Sequence, residues 1–504
     1  MKLVKLTTAA LASTLLLGSC DKDLLEKVNP NQPATSTFWQ NQNDAVRSVN
    51  SAYGALQLPG TYSRWIWFAL DLRSDEGYSK SPWTDLANFT RFIQLDYNFE
   101  PSASIWTDHY RGVYRCNQII ANVPGITMDE KMKTRLLAEA YFLRALYYFN
   151  LTALYGNVPM ILEVPTTSTR APQGTIESNY AQVLADLVMA EAGLPLVSDY
   201  VGNDRGRASK GAAQALMGKV YMQQRKWAEA SAQFKKVIDS EKYQLVANYL
   251  DNFTAANENN SESVFEVQFS DALQGDAQDA LNGSEGNNRA QFFGPRGIGW
   301  SDGQPRRWVY EQFTENTVSG DPDPRRDITV FNSSMPIYGE TYAKRFADKD
   351  GNFDRDELFW RKYQNDRTRN FENYHSGINI RVIRYADVLL MQAEALNEQG
   401  QPAAAVPFIN RVRTRVGLAP LTDSFSQTQM KTQLQQERAK ELAGEGTRFF
   451  DLTRSGLLDN QAGVDQVKVR DSDFSNFVPG KSALLPLPRT DLDIDQNLTQ
   501  NPNW

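Results

Sequence analysis

Between Lys210 and Ser240 four residues stand at fixed offsets, Gly218, Tyr221, Ala230 and Phe234, and a stretch beginning at Arg384 repeats those offsets with Ala393, Leu396, Ala405 and Ile409. These are the relative spacings of a tetratricopeptide repeat, a helix pair in which small residues allow close crossing and larger ones fill the space between. Two registers that agree at four positions each commit much of the chain to stacked helix pairs. In the second copy Val388, Leu389, Gln392, Ala393 and Leu396 trace one helical face, Gly400 ends the helix and Pro402 starts the next. More diverged pairs are expected from Leu136 to Leu154 with Tyr180 to Ala192, and from Asp44 to Leu56 with Ile105 to Val123. The fold class is therefore mostly α, with about four helix pairs. Repeats of this kind present a surface and leave the ligand unspecified.

Composition removes several function classes. The formal charge of −7 is spread along 504 residues with no Lys/Arg tract, so nucleic acid is not an expected partner. Two cysteines and two histidines exclude a disulfide framework and leave almost nothing for a histidine-based triad or a Cys/His metal site. No cofactor is expected.

The N-terminus carries a different signal. Lys2 and Lys5 precede an apolar run from Leu6 to Leu17 that is too short to span a bilayer, which is the layout of a secretory signal peptide over residues 1–19. Leu17-Gly18-Ser19-Cys20 follows, resembling a bacterial lipobox in which the Cys20 thiol takes lipid. Acyl chains there give about 0.8 kcal/mol per buried methylene, enough in combination for a lasting membrane anchor. Asp21-Lys22-Asp23 resembles the surface-export signal of Bacteroidetes lipoproteins, and residues 20–36, with Asn29-Pro30 and Gln32-Pro33, read as a lipidated tether.

Five segments then carry a family resemblance. They are RYADVLLMQAEA from Arg384 to Ala395, AEAYFLRALYYFNLTALYGNVPMIL from Ala138 to Leu162, INRVRTRVGL from Ile409 to Leu418, ERAKELAGEGTRFFDLTR from Glu437 to Arg454 and LLPLPRTDLDIDQNLTQNP from Leu484 to Pro502. Together they resemble the SusD/RagB family of outer-membrane nutrient-binding lipoproteins, in that family's order. The resemblance implies a single SusD-like domain over residues 37–504, with four tetratricopeptide units on one side and an irregular, loop-rich part on the other. It also implies a SusC-type TonB-dependent transporter partner, over which the protein sits as a lid, and a location on the cell outer membrane facing the exterior. The motif residues themselves read as structural. Glu437, Arg438, Glu441 and Arg448 are expected to form an ion-pair network fixing the last helix pair, and two of Arg411, Arg413 and Arg415 are expected on a solvated face.

From about 250 to 379 the repeat pattern gives way to Gly, Pro, Asn and aromatic residues, and so long a loop region is usually functional. Its densest part, from Gln291 to Tyr310, interleaves Phe292, Phe293, Trp300 and Trp308 with glycines and prolines, and is accompanied by Asp302, Gln304, Arg306 and Arg307. A second aromatic cluster from Tyr62 to Phe92 holds Trp65, Trp67 and Trp83 beside Asp71, Arg73, Asp75 and Glu76. Sugars present flat C–H faces with a rim of hydroxyls, which exposed rings and edge Asp, Asn or Arg can hold. The candidate ligand contacts are Trp83, Asp71, Arg73, Asp75, Trp300 and Trp308, whereas Trp65, Trp67 and Phe68 sit at spacings suited to burial. Asp348-Lys349-Asp350-Gly351-Asn352-Phe353-Asp354 alternates oxygen ligands, but Phe353 and Phe359 stand where an EF-hand needs Gly and Glu, so an acidic surface loop is expected. The function these features suggest is oligosaccharide binding without catalysis. The competing readings are a surface glycoside hydrolase using paired carboxylates such as Asp75 and Glu76, a repeat protein that binds only proteins, and a protein with a peptide ligand.

Overall fold

A computed structural model describes residues 38–166, 168–273, 284–348, 350–422 and 424–504. The expected signal peptide, Cys20 and the expected tether lie outside the described residues. Eight helices form the frame: α1 Gln42–Gly54, α2 Glu100–Asn122, α3 Glu130–Tyr155, α4 Ile176–Gly193, α5 Lys210–Gln223, α6 Trp227–Asp239, α7 Tyr385–Glu398 and α8 Pro402–Arg415. Side-chain caps start several of them. Asn41 and Asp44 make a reciprocal box at α1, Asp129 caps α3, Thr175 and Ser178 box α4, and Ser209 caps α5. Two further helices, α9 Gln427–Leu442 and α10 Arg448–Arg454, close the frame.

Each of the eight helices packs on the next in order, so the four expected pairs stack as one continuous array. Close crossing depends on missing side chains: a Cβ on Gly218 of α5 would lie 2.3 Å from the Phe234 ring of α6, and one on Gly112 of α2 would lie 2.4 Å from the Tyr147 ring of α3. The array runs across a long excursion of the chain. Although α6 and α7 are separated by the whole loop-rich region, they pack directly against each other. The excursion leaves and returns through an antiparallel ladder between β2 Ser263–Val267 and β4 Ile380–Arg384, while β1 Gly77–Tyr78 and β3 Gln304–Pro305 form a second, shorter ladder. One expectation changes here. Helix α7 was expected to bury one face, but it is buried nearly all round, because α6, α8 and α9 enclose it and its Asp387 is paired with Lys219 at 3.0 Å and Arg438 at 2.9 Å.

Where β4 meets α7, an ionic cluster is sealed from water. Arg384 contacts Glu262 at 2.8 Å, Glu441 at 2.6 Å and Glu445 at 2.6 Å. Arg325 contacts Asp323 at 2.7 Å, Glu437 at 2.6 Å and Glu441 at 3.0 Å. The expected network is corrected: Glu437 and Glu441 are joined through Arg325 of the loop-rich region, whereas Arg438 pairs with Asp387 and Asp451 and Arg448 pairs with Asp75, so the four do not pair with one another. The expectation of two solvated arginines in α8 is corrected. Only Arg411 is exposed; Arg413 reaches Glu437 and Glu315, and the Arg415 side chain reaches Glu262 and Glu441. Burial works against the ionised Glu441, yet Arg415, Arg384 and Arg325 around it hold its carboxyl well below the usual carboxylate range.

Arg384→Met leaves Glu262, Glu441 and Glu445 short of a shared counter-charge in a dry site. The expected cost is about 3–5 kcal/mol, read as a lower midpoint in urea unfolding followed by circular dichroism.

Candidate ligand-binding site

The two aromatic clusters that look separate in sequence are one structure. The short ladder pairs Gly77 with Pro305 and Tyr78 with Gln304, and two further backbone bonds, Arg306 N–H to Glu76 at 2.7 Å and Asn288 N–H to Ser63 at 3.1 Å, fasten the 62–92 region to the 288–306 region. Rings then run edge to face across the seam. Trp83 lies 6.1 Å from Trp65, Trp65 lies 5.3 Å from Phe292, Phe292 lies 4.8 Å from Trp300, and Trp300 lies 5.3 Å from Tyr374. The inner members are buried, but Trp83 is 39% and Trp300 49% exposed. The Arg64 guanidinium sits over the Trp65, Phe292 and Tyr374 rings at 5.0, 4.9 and 5.5 Å, so the platform carries a cation at its back.

Local geometry explains why these two indoles stay outside. Trp83 is the residue that precedes the helix Thr84–Thr90, and its backbone N–H is held by the Ser81 hydroxyl at 3.2 Å. Trp300 caps a loop folded back on the helix Arg289–Phe293: its N–H donates to the Gln291 carbonyl at 2.8 Å and the next N–H donates to Gly294 at 2.9 Å. That approach requires glycine, since a Cβ on Gly299 would stand 2.5 Å from the Gln291 carbonyl oxygen. Ser301, at φ 58°, turns the chain in the left-handed region. Polar groups lie between the rings. The Asp302 carboxyl accepts from the Ser81 hydroxyl and burial pushes it up to about 6. Gln304 accepts from the Tyr78 hydroxyl at 2.7 Å and donates to Ser301 at 2.9 Å.

Four of the six sequence candidates are corrected by the structure, because they are buried and committed to other parts of the chain. Asp71 accepts from the Gly446 N–H at 2.7 Å, and burial, opposed by Arg289, pushes its carboxyl to about 6. Arg73 donates to the Ser482 carbonyl at 2.7 Å among the Phe89, Phe92 and Phe449 rings, and burial lowers it to about 9. Asp75 forms a two-pronged pair with Arg448 at 2.7 and 2.9 Å. Trp308 donates its indole N–H to the Asp75 carbonyl and lies between the Arg448 and Arg470 guanidiniums. A run of acids and bases beside tryptophans looks like a ligand rim in one dimension. In three it is the joint between the N-terminal loops and residues 444–448. Sequence reasoning also missed Arg64 and Tyr374, whose only signal is a neighbour brought from elsewhere. In the acidic loop, the Asp348 carboxylate accepts from the backbone N–H groups of Asp350 and Asn352 at 3.0 and 2.6 Å, closing the turn.

Comparison with known proteins follows the same lines. The SusD family model matches residues 261–504, and the model described as starch-binding associating with outer membrane matches residues 24–222. A laminarin-binding SusD-like protein of known structure aligns with a TM-score of 0.75 at 30% identity, over 92% of this chain and 100% of that one. The chain belongs to the SusD family. SusD-like protein P25 of Formosa agariphila is 28% identical over 506 residues, 93% of each chain. Surface glycan-binding protein A from Bacteroides fluxus aligns with a TM-score of 0.75 at 25% identity, over 92% of this chain and 100% of that one.

The corrected assignments separate by stability. Trp308→Ala is expected to cost about 3 kcal/mol or more in urea unfolding, since it empties a buried indole site, whereas Trp83→Ala and Trp300→Ala stay within about 1 kcal/mol of the parent.

Proposed function

We propose that the protein binds an oligosaccharide without cleaving it, on the ring platform that ends in Trp83 and Trp300. The observation that carries this reading is the pair of exposed indoles, drawn from distant parts of the chain onto one rigid ring cluster with Asp302, Gln304 and Ser301 beside them. Indole faces stack on the C–H surface of a sugar, and the half-buried Ser301 beside Trp300 offers a hydroxyl at the rim, while the buried Asp302 and Gln304 hold the loops that carry the rings. Relatives described as laminarin-binding and as surface glycan-binding support the ligand class. The hydrolase reading finds less support, because Asp75 and Glu76, its adjacent carboxylates, are both buried and Asp75 is neutralised by Arg448.

In this proposal residues 1–19 are removed, acylated Cys20 anchors the protein to the outer membrane, residues 20–36 act as the tether, and the SusD-like domain hands its glycan to a SusC-type TonB-dependent transporter that it covers as a lid. The description of the family model matching residues 24–222 supports the membrane association. Among the described residues no helix is long and apolar enough to cross a membrane, so attachment in this scheme falls to the lipid.

Calorimetry against laminarin, starch and their oligosaccharides tests the site. Trp83→Ala and Trp300→Ala are each expected to lower affinity about tenfold or more, as the loss of one stacking ring would. Unchanged affinity in both variants removes the platform from the site, and release of new reducing ends at enzyme-like rates overturns the non-catalytic reading.

A further inference from the structure

A groove of about 660 Å³ lies along α2, away from the Trp83–Trp300 rings. Trp106, Tyr110 and Tyr114 line one side of it, and Ile494, Asp495 and Leu498, from the helix Arg489–Ile494 and the segment after it, line the other. Its size is in the range of sites that hold organic ligands. Two bonds fix the far wall: the Trp106 indole N–H donates to Asp491 at 3.2 Å and the Thr490 N–H donates to the Asn98 side chain at 3.2 Å. Two of the hydrophobic side chains face solvent, Tyr114 at 45% and Ile494 at 66% exposure.

The position of the groove relative to the ring platform is what gives it meaning. Phe99 immediately precedes α2, and its ring lies 5.3 Å from Trp83. The exposed residues Glu100, Thr107, Arg111 and Tyr114 follow one another at helical spacing, so they form a single stripe on α2. At the helical rise, Thr107 lies ~12 Å beyond Phe99 and Tyr114 a further ~10 Å along the axis. The stripe thus leads from the platform into the groove over a distance that a few linked sugar rings span.

The chemistry of the groove favours the same kind of occupant. The Tyr114 hydroxyl accepts from Gln118 at 3.0 Å, which leaves its own proton to donate. Asp495 accepts only from the backbone N–H of Asn497, at 3.0 Å, among the described residues, so most of its acceptor capacity is unused. An apolar peptide segment would cover these polar groups without satisfying them, which costs free energy. A sugar chain brings C–H faces for Tyr114 and Ile494 and hydroxyls for the rim.

We propose that this groove is a second carbohydrate subsite, which holds the continuation of a glycan chain whose first rings stack on Trp83 and Trp300. The inference rests on the glycan-binding reading above and adds to it a preference for long chains.

Calorimetry with laminaritriose, laminariheptaose, maltotriose and maltoheptaose separates the two readings. For the series the parent protein binds, Tyr114→Ala and, independently, Ile494→Ser are expected to lower heptasaccharide affinity about fivefold to tenfold and to leave trisaccharide affinity unchanged, while Trp83→Ala lowers both. Both residues are well exposed, so the variants are expected to fold, which circular dichroism checks. If Tyr114→Ala and Ile494→Ser leave heptasaccharide affinity unchanged while Trp83→Ala lowers it, the subsite is overturned and the platform stands. Loss of a co-purifying protein with glycan affinity intact also overturns it, in favour of a protein occupant. Absence of binding to all four sugars and to their parent polysaccharides overturns both readings.

Discussion

Arg384 stands where the loop-rich excursion rejoins the helix array, and three carboxylates from distant parts of the chain, Glu262, Glu441 and Glu445, converge on it out of contact with water. Bringing such charges together adds little net stability, because each loses its hydration. Their effect is geometric. A displaced partner leaves an uncompensated buried charge, so the excursion can leave and return in only one arrangement. Arg325 and Lys362 of the loop-rich region and Arg413 and Arg415 of α8 extend the same constraint, binding the irregular half of the molecule to the regular half.

That constraint lets an irregular region carry a site. Direct packing of α6 on α7 keeps the array continuous while the intervening residues fold over it. Part of that excursion, residues 288–306, is then fastened to the 62–92 loops by the short ladder and by the Asn288–Ser63 bond. Asp71 and Asp75 tie those loops in turn to Gly446 and Arg448. The exposed indoles are therefore the outward-facing members of a ring cluster in which Trp65 and Phe292 are packed inside and whose backbone is bonded from several directions. A ligand stacking on a surface of that kind would find little ordering left to do, which would favour the proposed binding.

How much of this was legible in the sequence follows from the range of each interaction. The helix pairs could be read because a repeat is local: Gly218 and Phe234 lie within one pair, and the contact between them is written in their spacing. The exposure of Trp83 and Trp300 was also legible, since each sits among loop formers. The burial of Asp71, Arg73, Asp75 and Trp308 was not. Asp75 and Arg448 are 373 residues apart, and nothing near Asp75 indicates that a guanidinium arrives to neutralise it. The same holds for Arg413 and Arg415, which look solvated on a helical wheel until Glu315, Glu262 and the carboxylates of α9 are brought against them. Nor does the sequence reveal that the two aromatic clusters are one, because a two-residue ladder has no periodicity to detect.

Hydrogen exchange read by mass spectrometry, with and without a saturating oligosaccharide, tests most directly whether the rings of the irregular half grip a glycan while the helix array stays fixed. Added protection is expected in peptides covering residues 79–92 and 291–305, with the exchange of α5 to α8 unchanged. Protection confined to the helix array, with both ring-bearing segments unaffected, would contradict that grip.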